Sequence, residues 1–233
     1  MGQSEMPPTA GEDAPIAGDA TFGAAPRLPR GPNNLTAEEI AESQRVRLMN
    51  AMAELLAERG WAGITIGELV SRASVSRTAF YDHFDDKLGC LLASYDFYSA
   101  RLISDAAAAL SQKGNADDIV RSALRAYFGS IQQNPVSARA YFVEMDSAGP
   151  EARRRRRDGA HVFAAMIAEQ HRRILKASGA TSTPPFLAYF GVALALRELV
   201  RDELENDPDA DLNDLVVDVH DWMMTMVRGS LDP

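Results

Sequence analysis

Between Thr65 and Phe84 the chain carries two helix-start signals separated by one short helix and a tight turn. No other feature constrains the fold as strongly. Thr65 and Glu68 form a T-x-x-E capping box, in which each end of the motif satisfies a backbone N–H at the start of a helix. Ile66, Leu69, Val70 and Ala73 mark the inner face of that short helix. Ser74-Val75 is the turn, and Ser76 is a good N-cap for the next helix, where Phe80 and Phe84 lie four apart and face inward. A capped helix, a tight turn and a second capped helix make a helix-turn-helix, whose second helix is built to lie in a DNA major groove.

That geometry assigns candidate DNA contacts. Arg77 has the planar fork that matches guanine O6 and N7, and Thr78 can bond a base or meet a thymine methyl. Tyr81, His83 and Lys87 are candidate donors to phosphate oxygens. Thr65 sits at a helix N-terminus, where backbone N–H groups favour an anion. Ser76 and Ala79 complete the candidate DNA-binding set. The plain alternative is three packed helices with ordinary polar surface residues.

The remaining punctuation is helical throughout. Thr36 and Glu39 form another capping box, with Leu35 and Ile40 as its hydrophobic staple, and Gly60 ends a helix predicted over 37–59. Asp85 or Asp86 caps a fourth helix running to about Gln112. Gly114-Asn115, Asn134-Pro135, Gly149-Pro150, Thr183-Pro184-Pro185 and Asp207-Pro208-Asp209 separate five more. No segment sustains period-2 alternation, so the expected fold is all-α with about nine helices. Residues 1–35, rich in Pro, Gly, Ala and acids, read as a disordered arm. Its Arg27 and Arg30 are either part of a solvated tail or positioned to touch DNA phosphates or a minor groove. Residues 36–88 are expected to form a DNA-binding domain, and 89–228 a ligand-binding and dimerisation domain.

The run Gly60-Trp61-Ala62-Gly63-Ile64-Thr65-Ile66-Gly67-Glu68-Leu69-Val70, then Ala73-Ser74-Val75-Ser76-Arg77-Thr78-Ala79-Phe80-Tyr81-Asp82-His83-Phe84-Asp85-Asp86-Lys87, resembles the N-terminal signature of TetR/AcrR-family transcriptional regulators. The match covers about residues 45–95, and its most specific positions are Thr65, Val75-Ser76, Phe80-Tyr81, His83-Phe84 and Lys87. The resemblance implies a dimeric, nine-helix regulator, usually a repressor, that a small ligand in the C-terminal domain releases from a palindromic operator. Two positions depart from the family pattern. Ser74 stands where a glycine in left-handed conformation is usual, and Gly67 weakens its helix by roughly 1 kcal/mol relative to Ala.

Charge sets limits on this function. The formal net charge is -9, and residues 36–90 hold nine acids against six bases, which excludes a non-specific DNA coater. A sequence-specific reader works through a few placed groups and loses affinity with salt. One cysteine, Cys90, fits a reducing cytoplasm. No signal peptide is read, and the apolar stretch Phe186–Leu196 is too short to span a bilayer.

Aromatic and methionine residues collect mid-chain. Tyr98, Tyr127, Phe128, Tyr141, Phe142, Met145, Phe163 and Met166 are candidates for an apolar effector pocket between helices, with Arg101 as a polar contact. Arg125, Glu144 and His161 are further polar candidates. Each is also an ordinary core or surface residue in isolation. A hydrophobic drug, a fatty acyl chain and a polyketide all suit such a pocket. Arg153–Arg157 is either a solvated helix start or an anion-binding run, and its five consecutive residues cannot form one stripe. Leu212, Leu215, Val219, Trp222 and Met226 give a 3-4-3-4 seam on the last helix. Beside the apolar helix before it, this seam is expected to form a homodimer interface rather than close the subunit's own core. His83, His161, His171 and His220 are scattered, so neither a metal site nor a catalytic pair is expected, and no cofactor is. The rival readings are a helical interaction module with a non-functional helix-turn-helix, an activator, and a helical enzyme.

Overall fold

The computed structural model describes residues 36–112, 114–178 and 183–229. The predicted arm and the staple residue Leu35 lie outside them, as does the side chain of Met226. Among the described residues there are nine α-helices and no strands. They are α1 (Ala37–Arg59), α2 (Ile66–Ala73), α3 (Arg77–His83), α4 (Lys87–Leu110), α5 (Ala116–Gln132), α6 (Pro135–Ala138), α7 (Pro150–Ser178), α8 (Phe186–Asn206) and α9 (Leu215–Gly229).

Local chemistry sets most starts. Both capping boxes close, at Thr36 with Glu39 and at Thr65 with Glu68. Ser76 Oγ accepts from the Ala79 N–H at 3.0 Å to start α3. Asp86, rather than Asp85, caps α4 by accepting from Gly89 N–H at 2.7 Å. Gly60, at φ 65°, ends α1 in a conformation that suits a residue with no Cβ.

The segment after α6 is less regular than expected. Arg139–Glu144 winds as a π-helix and Met145–Ala148 as a 3₁₀ turn. Wide helical turns of this kind need tertiary support. Ala140, Tyr141 and Met145 supply it by burying fully, and the Arg139 guanidinium donates to Ala57 O at 3.4 Å.

A single hydrophobic cluster runs from Val46 in α1 through Phe80 and Phe84 in the α3 region to Met224 in α9. Helix α4 joins its two ends. Ser94 Oγ donates to Met49 O at 2.7 Å and also meets the Tyr141 hydroxyl, while Cys90 lies against Leu48 O. Burial pushes the Cys90 thiol up to about 12, so it stays a neutral packing group.

The expected seam on α9 divides in the structure. Leu212 and Val219 are buried within the subunit, where the α9 region packs on α5. Trp222 is exposed, beside the equally exposed Leu199 of α8. The seam therefore belongs partly to the subunit's own core, because α9 must cover the apolar face of α5.

Candidate DNA interface and effector cavity

Helices α1, α2 and α3 hold the turn by specific contacts. Ser74 takes the left-handed conformation, φ 55° and ψ 46°, that the sequence departure raised. An L-residue there costs roughly 1–2 kcal/mol. Arg47 of α1 offsets this by donating to Ala73 O at 3.1 Å and Ser74 O at 3.2 Å, a clamp that no sequence motif announces. Arg72 is held by Glu54 and Glu58, so a second nearby cation is committed to the head's own surface.

Thr65, Ser76, Arg77, Thr78 and Tyr81 are all exposed; Ser76 caps α3, Arg77 and Thr78 open it, and Tyr81 follows one turn after Arg77. The Arg77 guanidinium lies 5.9 Å from the Tyr81 ring centre, and Tyr81 stands edge-on to the buried Phe80 at 5.4 Å. This stack holds two long side chains outward on one face. Gly67 is exposed, and an added Cβ there would meet only Thr65 Oγ1 at 3.8 Å, so helix packing does not require the glycine.

Three candidates sit differently. Ala79 is buried, so its side chain packs inward instead of facing a base. His83 is half-buried, with Nε2 3.3 Å from Gln44 Oε1. Lys87, expected to reach phosphate, turns inward. Its Nζ donates to Trp61 O at 3.2 Å and Ile64 O at 2.9 Å, and lies 4.0 Å from the Trp61 ring centre. The short 3₁₀ turn Trp61–Gly63 leaves carbonyls pointing at the start of α4, and an ammonium satisfies them. Lys87 therefore couples α4 to the residues just ahead of α2.

Farther along α4 lies a cavity in two compartments between α4, α5, α7 and α8. The first is walled by Tyr95, Tyr98, Tyr141, Phe142, Arg156 and Arg197, among others. The second is nearly all apolar and includes Leu124, Met166 and Leu196. Tyr127 and Phe163 belong to both walls and stack on each other, with centroids 5.2 Å apart and planes 11° from parallel. They stand as a partition. The voids are about 60 and about 50 Å³, each near the size of a few atoms, so a larger guest needs the partition to turn.

Six predicted pocket residues thus line the cavity: Tyr98, Tyr127, Tyr141, Phe142, Phe163 and Met166. Phe128 and Met145 are fully buried outside its walls. Arg101 is exposed and paired with Asp105, and Arg125 is also exposed. Glu144 pairs with Arg139, and His161 stacks on Phe190 at 4.0 Å.

The sequence singles out Arg156 only as one of the Arg153–Arg157 run, and Arg197 not at all. Four of the five arginines in the run are exposed, and only Arg156 turns in, beside the buried Ala152 and Ala160 one turn either way. A run that points in all directions must put one member on the inner face, and that was the available signal. Arg156 Nε donates to Asp146 Oδ1 at 2.9 Å. Buried Arg197 donates to Phe142 O at 3.0 Å and Glu198 Oε1 at 2.6 Å. Burial first, then the nearby Arg156 charge, holds the Arg197 pKa below its usual value. It remains a guanidinium cation, so this end of the cavity carries two cations, both paired with the Asp146 and Glu198 carboxylates. No group of three or more potential metal ligands occurs among the described residues. No described helix is long and apolar enough to cross a membrane.

Comparison with known proteins agrees with this layout. The profile described as bacterial regulatory proteins, tetR family, matches residues 48–94. The transcriptional activator FasR of Mycolicibacterium smegmatis is 28% identical over 116 residues, which is 50% of this chain and 53% of FasR. The transcriptional regulator CymR of Pseudomonas putida is 31% identical over 93 residues, 40% of this chain and 46% of CymR. The chain thus spans about half the length of these curated relatives. Among solved structures, FadR of Bacillus subtilis in complex with stearoyl-CoA superposes with a TM-score of 0.68 at 15% identity, over 77% of this chain and 97% of FadR. The fatty acid degradation regulator FadR of Bacillus halodurans gives 0.70 at 16%, over 78% and 94%. Residues 48–94 thus carry a helix-turn-helix of the TetR-family type, and the chain shares its fold with these solved regulators.

Proposed function

We propose that this chain is a homodimeric, sequence-specific DNA-binding repressor, released from a palindromic operator by an amphiphilic ligand with a long acyl chain and an anionic head. The head comprises residues 36–88, and residues 89–228 form the effector and dimer body. Arg77 and Thr78 read bases, while Thr65, Ser76 and Tyr81 hold phosphates. The carrying observation is an apolar, aromatic-walled cavity with two arginines at one end, built on the same helix that fastens the DNA-reading head. The FadR structure solved with stearoyl-CoA, of the same fold, gives the ligand class independent support.

The coupling is mechanical. A chain entering beside Tyr95, Tyr98 and Leu102 displaces α4, and Lys87 carries that displacement to the backbone ahead of α2. Half-sites one helical turn apart lie about 34–36 Å from each other, so a small swing of the two heads spoils the fit. The effector acts by binding the released state more tightly than the bound one.

Fluorescence anisotropy against the intergenic DNA flanking the protein's own gene tests this. Expected are saturable binding at dimer stoichiometry, loss with scrambled DNA, and release by hexadecanoyl-CoA. Sequence-blind, salt-labile binding would reject the regulator. Specific binding indifferent to acyl ligands would reject the effector class.

A further inference from the structure

The second compartment's wall includes one ring with an unpartnered nitrogen. His171 of α7 is buried and lines a wall otherwise made of apolar side chains, Tyr127 and the half-exposed Gln170. Its Nδ1 lies 2.9 Å from the Tyr189 hydroxyl of α8. Tyr189 is not part of the wall, so the ring is anchored on its side away from the compartment. Its Nε2 is buried, with no hydrogen bond to any described residue. Leaving a buried polar nitrogen unpaired costs free energy, and such groups in folded proteins are rarely left so.

Position gives this nitrogen a meaning. The cavity runs along α7, from Arg156 and Gly159 through Phe163 to Met166, Gln170 and His171. At 1.5 Å per residue, Arg156 and His171 are about 22 Å apart along the helix. That is about the length of an extended long acyl chain. A guest whose anionic head meets the arginines brings its far end to His171.

We infer that His171 Nε2 recognises a hydroxyl at the distal end of the effector's acyl chain, so that the cavity selects terminally hydroxylated long-chain acids over plain ones. This rests on the acyl-effector reading proposed above. A hydroxyl is the fitting group because it both donates and accepts. If Tyr189 donates to Nδ1, Nε2 carries the proton and the ligand oxygen accepts. If Nδ1 donates to Tyr189, Nε2 accepts the ligand's O–H. Burial holds the His171 pKa below its ordinary value and the Tyr189 phenol above its own, which keeps both neutral for this exchange.

The test is calorimetric titration of the full chain with hexadecanoate and 16-hydroxyhexadecanoate, each as free acid and as CoA thioester. The wild type should bind the hydroxylated ligand about three- to tenfold more tightly, the range that one buried hydrogen bond supplies. His171→Phe should reverse that order, since an apolar ring strands the ligand hydroxyl. Tyr189→Phe, a milder change that frees the ring, should shrink the preference, and melting curves check that both variants fold. Binding of hexadecanoate with no preference for the hydroxyl, or a preference that survives both substitutions, would overturn the role of His171 alone. Failure of either head form to bind at all would overturn the acyl-effector reading with it.

Discussion

Arg77 and Lys87 show how much a single side chain's role depends on what surrounds it. Both are cations near the head's outer face, yet Arg77 is exposed on α3 while Lys87 is engaged by Trp61 O and Ile64 O. Arg77→Ala should therefore weaken specific DNA binding by about 1–3 kcal/mol and relax selectivity at one base pair of each half-site, as read by anisotropy with single-base variants. It should leave the melting temperature nearly unchanged. Lys87→Ala should lower the melting temperature as well, because two carbonyls lose their donor. Ser74 offers the opposite case. Its left-handed backbone suits glycine, so Ser74→Gly should stabilise the fold by about 1 kcal/mol in urea denaturation, with DNA affinity kept. The sequence could flag Ser74, because a turn demands a backbone conformation that few residues take. It could not flag Arg47, because its partners are carbonyls 26 and 27 residues away that every residue type carries.

Helices were legible in proportion to how locally they are determined. Capping boxes at Thr36 and Thr65 fix their starts within four residues of chain, and they close as read. The stretch Arg139–Ala148 has no such signal, since its wide and tight turns are held by burial of Tyr141 and Met145 in a core that forms elsewhere. The cavity was half legible for a related reason. An aromatic residue at helical spacing looks the same whether it ends in a core, like Phe128, or on a wall, like Phe163. Where α7 meets α4, Gly159 sits against Tyr95, and a Cβ there would lie 2.4 Å from the tyrosine hydroxyl oxygen. Gly159→Ala should push that ring into the first compartment and weaken acyl-ligand binding severalfold in calorimetry, at a stability cost of about 1–3 kcal/mol. His171 adds a pH signature to α7. Burial keeps it neutral in the native state, while the unfolded chain takes up a proton near pH 6.5. Below that point the unfolded state binds more protons, so stability should fall as the pH drops from about 6.5 toward the lowered native value. His171→Phe should flatten that part of a denaturation-against-pH curve.

At the scale of the whole molecule, assembly and cooperativity matter most. Leu199 and Trp222 are exposed large apolar side chains on neighbouring helices, in a groove edged by Glu198, Arg201 and Asp202. A second copy of the chain is the occupant that the proposed two-headed DNA reader needs. Trp222→Glu should shift the protein to monomer in sedimentation equilibrium and weaken operator binding more than any single base contact does, since each head would then bind alone. Finally, the hydrophobic cluster passes from Val46 to Met224 without a break. Among the described residues no hinge of bare chain separates its two ends, so calorimetry should record one transition for both. On the proposed mechanism, an effector that tightens the far end would make the DNA-reading end harder to unfold even as it pulls it off the operator. Release from DNA and resistance to heat should rise together, ligand by ligand.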